Sequence, residues 1–274
     1  MKQAKKCAKT RFSQSCMMTW CRQGVFGFLG LVLSVTSVYG QEALLPVKYQ
    51  PIVRSFIDAA KNKDHQAIIK RIAYPLAQEY PIAAINGPQE MLARFDEVFD
   101  NPLLDAIAQS QPQQDWQAMG WRGIMLGNGK IWMDYDGNII AVNHQTALEA
   151  KLASALIAKQ KNTLHPSLKV YQRPVLMWQT DKFTIRIDQL DNGKYRYASW
   201  AKENSISEKP DLVLKNGELK FDGSGGNHTF QFQSGPYQYE CRVMVVGASD
   251  SPPGVLMVYK KGTLIVEQPV LKVH

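Results

Sequence analysis

The chain has 274 residues and a formal net charge of +8. Much of that excess lies in the first forty residues, where Lys2, Lys5, Lys6, Lys9, Arg11 and Arg22 meet no acid; the remainder holds 26 Lys and Arg against 24 Asp and Glu, about +2 net, which removes the electrostatic case for nucleic acid or an anionic surface as partner. Cys7, Cys16 and Cys21 lie in the same segment, so Cys241 stands alone beyond it: no intramolecular disulfide is available there, and a buried thiol in a strand is expected.

The basic start is followed by an almost wholly apolar run over 25–38 and by small residues before Gln41. That is the form of a secretory signal peptide, with cleavage expected after Gly40 and with Met17 or Met18 as alternative starts to Met1. The run is shorter than the roughly twenty residues that span a bilayer, and no cysteine sits at the cleavage point to carry a lipid. A periplasmic or secreted protein with no transmembrane anchor after cleavage is therefore expected.

Helical spacing then dominates. Ile52, Phe56 and Ala59 mark a helix over 51–61, and Ile68, Ile69 and Ile72 a second over 65–72 with Asp64 as its N-cap. Residues 79–85 read as extended chain. Gly87-Pro88 opens a helix to about Phe99 with Met91, Leu92, Phe95 and Val98 on its apolar stripe, while Asp96, Glu97 and Asp100 form a solvated face. Asn101-Pro102 ends it, and a short helical piece follows over 103–108.

Residues 115–144 spell a three-stranded antiparallel meander. Asn128-Gly129 and Asp136-Gly137 are strong hairpin signals, because the two central residues of a type I′ turn need positive φ. Two-residue loops at both places pair Leu126 with Ile131, Ile124 with Met133, Met133 with Ile140 and Ile131 with Val142. Alternation then gives a core face of Ile124, Leu126, Ile131, Met133, Ile140 and Val142. The other face carries Trp121, Gly123, Met125, Trp132, Asp134, Ile139, Ala141 and Asn143. It reads either as a surface on which helices pack or as the floor of a ligand pocket. A helix over 147–161, with Leu148, Leu152, Ala155 and Leu156 at spacings of three and four, follows the meander.

Beyond 163–166 the pattern changes to hairpins. Strands at 182–188 and 194–200 flank Asp191-Asn192-Gly193, and others flank Asn216-Gly217, Ser234-Gly235-Pro236 and Lys261-Gly262. About eight to ten short strands point to an all-β antiparallel sandwich or barrel. The expected organisation is a signal over 1–40, an α+β domain over 41–162 and an all-β domain over 163–274.

Helices followed by a curved antiparallel meander, with the string GWRGIMLGNGKIWMDYDGNIIAVN at its centre, resemble exported bacterial proteins with a nuclear transport factor 2-like (cystatin-like α+β) N-terminal domain. The resemblance covers roughly residues 47–160. It implies a cavity between helices and sheet, with Trp121, Trp132 and Asp134 on the cavity side, and it carries over no catalytic residue.

Motifs for chemistry are sparse. The loop 222–228, DGSGGNH, brings Ser224, Asn227 and His228 together on glycine-rich backbone that could approach a ligand closely or could simply connect strands. It lacks the first glycine of a GxSxG elbow and the Lys-Ser or Lys-Thr of a phosphate loop, and it is faintly similar to the Ser-Gly loop of lysozyme inhibitors. Residues 134–138, DYDGN, suit a hairpin turn better than a calcium loop. The histidines His65, His144, His165, His228 and His274 show no metal-ligand pairing. The expectation is a non-catalytic binding protein that takes no cofactor or metal and no nucleic acid. Trp121, Arg122, Trp132 and Asp134 would hold a small apolar or aromatic ligand, and Ser224, Asn227 and His228 would meet a cell-envelope protein or glycan. Two alternatives stand beside it: a small-molecule hydrolase or isomerase with Asp134 as general base, and an inhibitor or immunity protein of an envelope hydrolase.

Overall fold

Capping and apolar spacing shape the first half of the computed structural model, which describes residues 44–274 apart from Ser224 and Ser249; residues 1–40, where a signal peptide is expected, lie outside the described residues. Helix α1, Gln50–Lys61, buries Val53, Phe56, Ile57, Ala59 and Ala60, with Pro51 in the first turn, where its missing N–H is not needed. Helix α2, His65–Ile69, starts at Asp64, whose Oδ1 accepts from the Ala67 N–H at 2.9 Å as expected. The helix anticipated from 88 to 99 divides at Arg94. There φ −113° and ψ 15° interrupt the spiral between α3, Pro88–Ala93, and α4, Phe95–Val98. The Arg94 guanidinium reaches Glu90 and Glu97 at 3.0 and 2.7 Å across the break. Helix α5, Asn101–Gln109, is capped by Asp100, which accepts from the Leu103 N–H at 3.0 Å. Helix α6, Ala147–Thr163, follows the sheet.

That sheet has four strands where three were expected: β1 Trp116–Ala118, β2 Ile124–Leu126, β3 Ile131–Met133 and β4 Ile139–Val142, antiparallel in that order. Residues 120–122 form a 3-10 turn rather than the start of β2, and β1 pairs with β2 through Trp116 and Leu126. The β2–β3 register is as read from Asn128-Gly129, with Ile124 opposite Met133 and Leu126 opposite Ile131. The β3–β4 register is not. Met133 lies opposite Ile139, and a bulge separates that pair from Trp132 opposite Ala141.

The cause is the turn. The Asp134 N–H bonds the Asn138 carbonyl at 2.9 Å, so the loop holds three residues, 135–137, with Gly137 at φ +91°. This is a three-residue hairpin closed by a left-handed glycine rather than a type I′ turn. The extra residue exchanges two side chains between faces: Ile139 is fully buried and Ile140 is 41% exposed, the reverse of the expectation. Helices α1, α2, α4 and α5 pack their buried side chains with Ile124, Leu126, Ile131, Met133 and Ile139 into one core. In it the Phe56 and Trp116 rings meet edge to face at 6.1 Å, and the Trp116 Nε1–H donates to Ser110 Oγ at 2.9 Å.

The second sheet is all antiparallel and is built from β5 Arg173–Gln179, β6 Phe183–Gln189, β7 Tyr195–Ala201, β8 Leu212–Phe221, β9 His228–Ser234, β10 Tyr237–Val243, β11 Gly254–Lys260, β12 Thr263–Pro269 and the short β13 Lys272–Val273. The order runs β12 to β5 in sequence, with β13 beyond β5, and the sheet curls into a half-barrel. The curl brings distant strands together. A β-carbon at Gly254 of β11 would come within 2.7 Å of the Trp178 ring on β5, so only glycine admits that approach. The chain between β12 and β13 crosses from one edge to the other, its Val270 N–H bonding Gly254 O at 2.9 Å and its Leu271 N–H bonding Gln179 O at 2.8 Å. The hairpins at 191–193, 234–236 and 261–262 join strands as expected. Asn216-Gly217 does not: it lies inside the continuous β8, where Asn216 at φ +61° makes an irregularity and the strand passes from pairing β7 to pairing β9. Cys241 of β10 is fully buried in the inner core, as expected of a lone thiol.

Every residue of β6 from Thr184 to Asp188 is buried, because both faces are covered. Ile185 and Ile187 point into the curl. On the outer face Arg186 and Asp188 lie beside Arg196 and Ala198 of β7. Next to them Leu164, Leu168, Tyr171 and Trp200 form a small second core. The charges there are paired. Asp188 Oδ2 takes the Arg196 guanidinium at 2.7 Å, and its Oδ1 lies 2.6 Å from Arg186 Nη2 as an ion pair without hydrogen-bond alignment. Arg196 also donates to the carbonyls of Leu168 and Val170, and Arg186 Nη1 donates to Gln160 of α6, which in turn donates to the Tyr80 hydroxyl. This chain of contacts runs from the helical half into the β half, and the described residues belong to one compact unit.

Candidate functional site

Of the residues singled out on the meander, Trp132 points away from the helical core, whereas the resemblance implied the side roofed by helices; Trp121 and Arg122 lie in the 3-10 turn and Asp134 in the β3–β4 turn. On β3, Ile131 and Met133 enter the core and Trp132 points the other way, half-buried, with the Arg122 guanidinium 5.4 Å from its ring centroid. Trp121 is 65% exposed. Asp134 is engaged by its own turn: Oδ1 accepts from the Asp136 and Asn138 N–H groups at 3.0 and 2.8 Å, and Oδ2 accepts from the Asn138 side-chain amide at 2.8 Å. This carboxylate does turn chemistry, holding the three-residue loop that causes the β4 bulge.

The glycine-rich loop is held in a similar way. Ser224 lies outside the described residues. The Asn227 side chain accepts from the Val245 and Val246 N–H groups and donates to the Val246 carbonyl, each at 2.8 Å, which staples the β8–β9 loop to the β10–β11 connection. His228 Nδ1 lies 2.8 Å from the Gly226 carbonyl, and its ring stands between those of Phe221 and Phe230 at 5.8 and 5.3 Å. The fold joins the two sets that the sequence presents about a hundred positions apart. A β-carbon on Gly225 would lie 3.1 Å from the Trp121 ring and 3.7 Å from Val246, so Trp121 rests against the loop. Trp121, Val245 and Val246 together make an exposed apolar surface there.

Two clefts have different chemistry. The first, about 440 Å³, has mixed walls, with Glu79, Asn143, His144, Gln145 and Glu149 beside Ala141 and Val142. His144 Nε2 is 2.9 Å from the Asp100 carboxylate. Burial pushes the Glu149 carboxyl above its usual range; the Thr146 backbone N–H that it accepts works against this, and the Glu79 charge works with it.

The second cleft, about 290 Å³, lies inside the curled sheet. Phe183, Tyr197, Tyr237, Tyr239, Leu256 and Val258 are among its walls, and Ser199 and Asp211 are its polar members apart from the phenols. Burial pushes the Tyr197 hydroxyl far above the usual phenol range, and Tyr239 in the same direction, so both are neutral hydrogen-bonding groups at physiological pH. The Tyr197 and Tyr239 rings are 5.9 Å apart. Sequence reasoning placed no site here. The signal was the alternation of Tyr195 with Tyr197 and of Tyr237 with Tyr239, aromatic at every second position of a strand, which marks one face without saying whether the face is filled.

Among the described residues no group of three or more His, Cys, Asp or Glu is arranged to hold a metal ion, and no helix is long and apolar enough to cross a membrane. Comparison of the chain with protein-family models, with curated proteins and with solved structures finds no match.

Proposed function

We propose that the protein is an exported, non-catalytic binding protein that holds a small apolar or aromatic ligand inside the curled nine-stranded sheet. The observation that carries this reading is the cleft of about 290 Å³ with aromatic and aliphatic walls and few polar groups. Small-molecule sites combine those features, and this one stands near the lower end of their usual range of about 300–1,000 Å³. Export is supported by the basic and then apolar first forty residues. A likeness of the first half to the nuclear transport factor 2-like cone remains part of the proposal in its coarse form, helices over one face of an antiparallel sheet.

A fluorescent apolar probe titrated into the purified protein tests the reading. The probe is expected to bind the native chain, and Leu256→Trp, which fills the cleft, is expected to weaken binding about tenfold or more, the equivalent of roughly 1.4 kcal/mol. Unchanged binding in a Leu256→Trp variant that melts like the parent would sink it. A second reading, contact with a cell-envelope protein, has one observation behind it: Trp121 and Val245 are 65% and 61% exposed beside the glycine-rich loop. Loss of a co-purifying envelope protein on Trp121→Ser would support that reading, and retention would count against it.

A further inference from the structure

We propose that the ligand of the apolar cleft carries a cationic head, an aliphatic or aromatic amine, with its apolar body in the curl and its ammonium among the tyrosine faces and Asp211. This rests on the reading above, that the cleft is a binding site. The charge present in its wall is a carboxylate, the exposed Asp211 immediately before the wall strand β8. Asp211 Oδ2 accepts the Ala201 N–H at 2.7 Å, and Oδ1 has no hydrogen-bond partner among the described residues. Phe183, Tyr197, Tyr237 and Tyr239 line the same space.

Aromatic faces attract cations through their quadrupole, and rings combined with a carboxylate favour ammonium over carboxylate or alcohol. One of these rings already does so: the Lys260 ammonium stands 5.4 Å from the Tyr237 centroid. The neutral phenols of Tyr197 and Tyr239 add no charge to that choice, which leaves Asp211 and the ring faces to set it. At about 30 Å³ for each water-sized group, the cleft accommodates a chain of roughly nine or ten such groups.

The test compares three probes of equal length, octylammonium, octan-1-ol and octanoate, by calorimetric titration of the full chain at neutral pH and low salt. Octylammonium is expected to bind tightest and octanoate weakest. Asp211→Asn keeps an acceptor for the Ala201 N–H and removes the charge. It is expected to weaken octylammonium about two- to fivefold, the range of a partly solvated ion pair, and to leave octanol unchanged. Lys260→Gln is expected to strengthen octylammonium. Octanoate binding as tightly as octylammonium, or octylammonium binding that Asp211→Asn leaves unchanged, overturns the inference while the apolar cleft stands. Failure of all three probes to bind overturns the cleft reading as well.

Discussion

Asp134 shows how one residue can be conspicuous for a reason other than chemistry. A carboxylate beside Trp132 and Arg122 looks like a polar determinant, yet its two oxygens take three hydrogen bonds from Asp136 and Asn138. Removing the acceptor leaves those N–H groups to water, so Asp134→Ala is expected to cost about 1–2 kcal/mol in urea unfolding. Asp134→Asn keeps the Oδ1 acceptor and is expected to lose less than half of that. Equal losses in the two variants would mean that charge, not the turn, is what the residue supplies. Local signals of this kind were legible in sequence to the level of the turn. Asp136-Gly137 was correctly a hairpin, but the loop held one residue more than a type I′ turn, and that residue exchanged Ile139 and Ile140 between faces.

At the scale of elements, α6 is the informative case. It has helical spacing of leucines, yet none of its residues is fully buried and Leu148 is 52% exposed. Its start is fixed instead by a reciprocal cap. Thr146 Oγ1 accepts from the Glu149 N–H at 3.0 Å and donates to the Glu97 carbonyl at 2.8 Å, while Glu149 accepts the Thr146 N–H. Thr146→Ala is expected to cost about 1–2 kcal/mol, read as reduced helical signal and a lower urea midpoint.

Glu149 also gives α6 a pH dependence. Its carboxyl is raised in the folded chain, so the folded state holds this proton more tightly than the unfolded one. The stability it contributes is present at acid pH, below its ordinary value, and is lost as pH rises through the folded one. Glu149→Gln removes the ionisation, so its advantage over the parent is expected to appear above that range and vanish below it. The gain at neutral pH is expected to stay under about 1 kcal/mol because the group is half exposed. Melting curves at acid and neutral pH would show this, and an advantage that is constant with pH would refute it.

For the whole molecule, the joint between the helical half and the curled sheet is the set of half-buried Tyr80 and Gln160 with buried Arg186, Asp188 and Arg196. Two guanidiniums share one carboxylate there, with Arg186 and Asp188 each fully buried. Asp188→Asn leaves two cations buried without a counter-charge and is expected to cost about 3–5 kcal/mol. If the set is the joint, near-ultraviolet and far-ultraviolet signals are expected to change together in the parent and to separate into two transitions in this variant. A single transition with a loss below about 1 kcal/mol would show that the halves are held elsewhere.

What the sequence determined by itself was local: the turn at Asn128-Gly129, the cap at Asp64, the register of β2 on β3, the burial of Cys241, and the order of helices before hairpins. Each depends on residues a few positions apart, whose backbone preferences act within one turn or one pair of strands. Only the tertiary structure decided which face of the meander meets the helices, that Asn216-Gly217 bends a strand rather than ending one, that Trp121 rests on Gly225, and that the nine strands curl far enough to bring Trp178 over Gly254. Those outcomes depend on the summed twist and packing of whole sheets, in which residues fifty to a hundred positions apart become neighbours. The apolar cleft arises at that level: its walls come from several strands, each showing only an ordinary alternation, and the space between them exists because the sheet curls without closing.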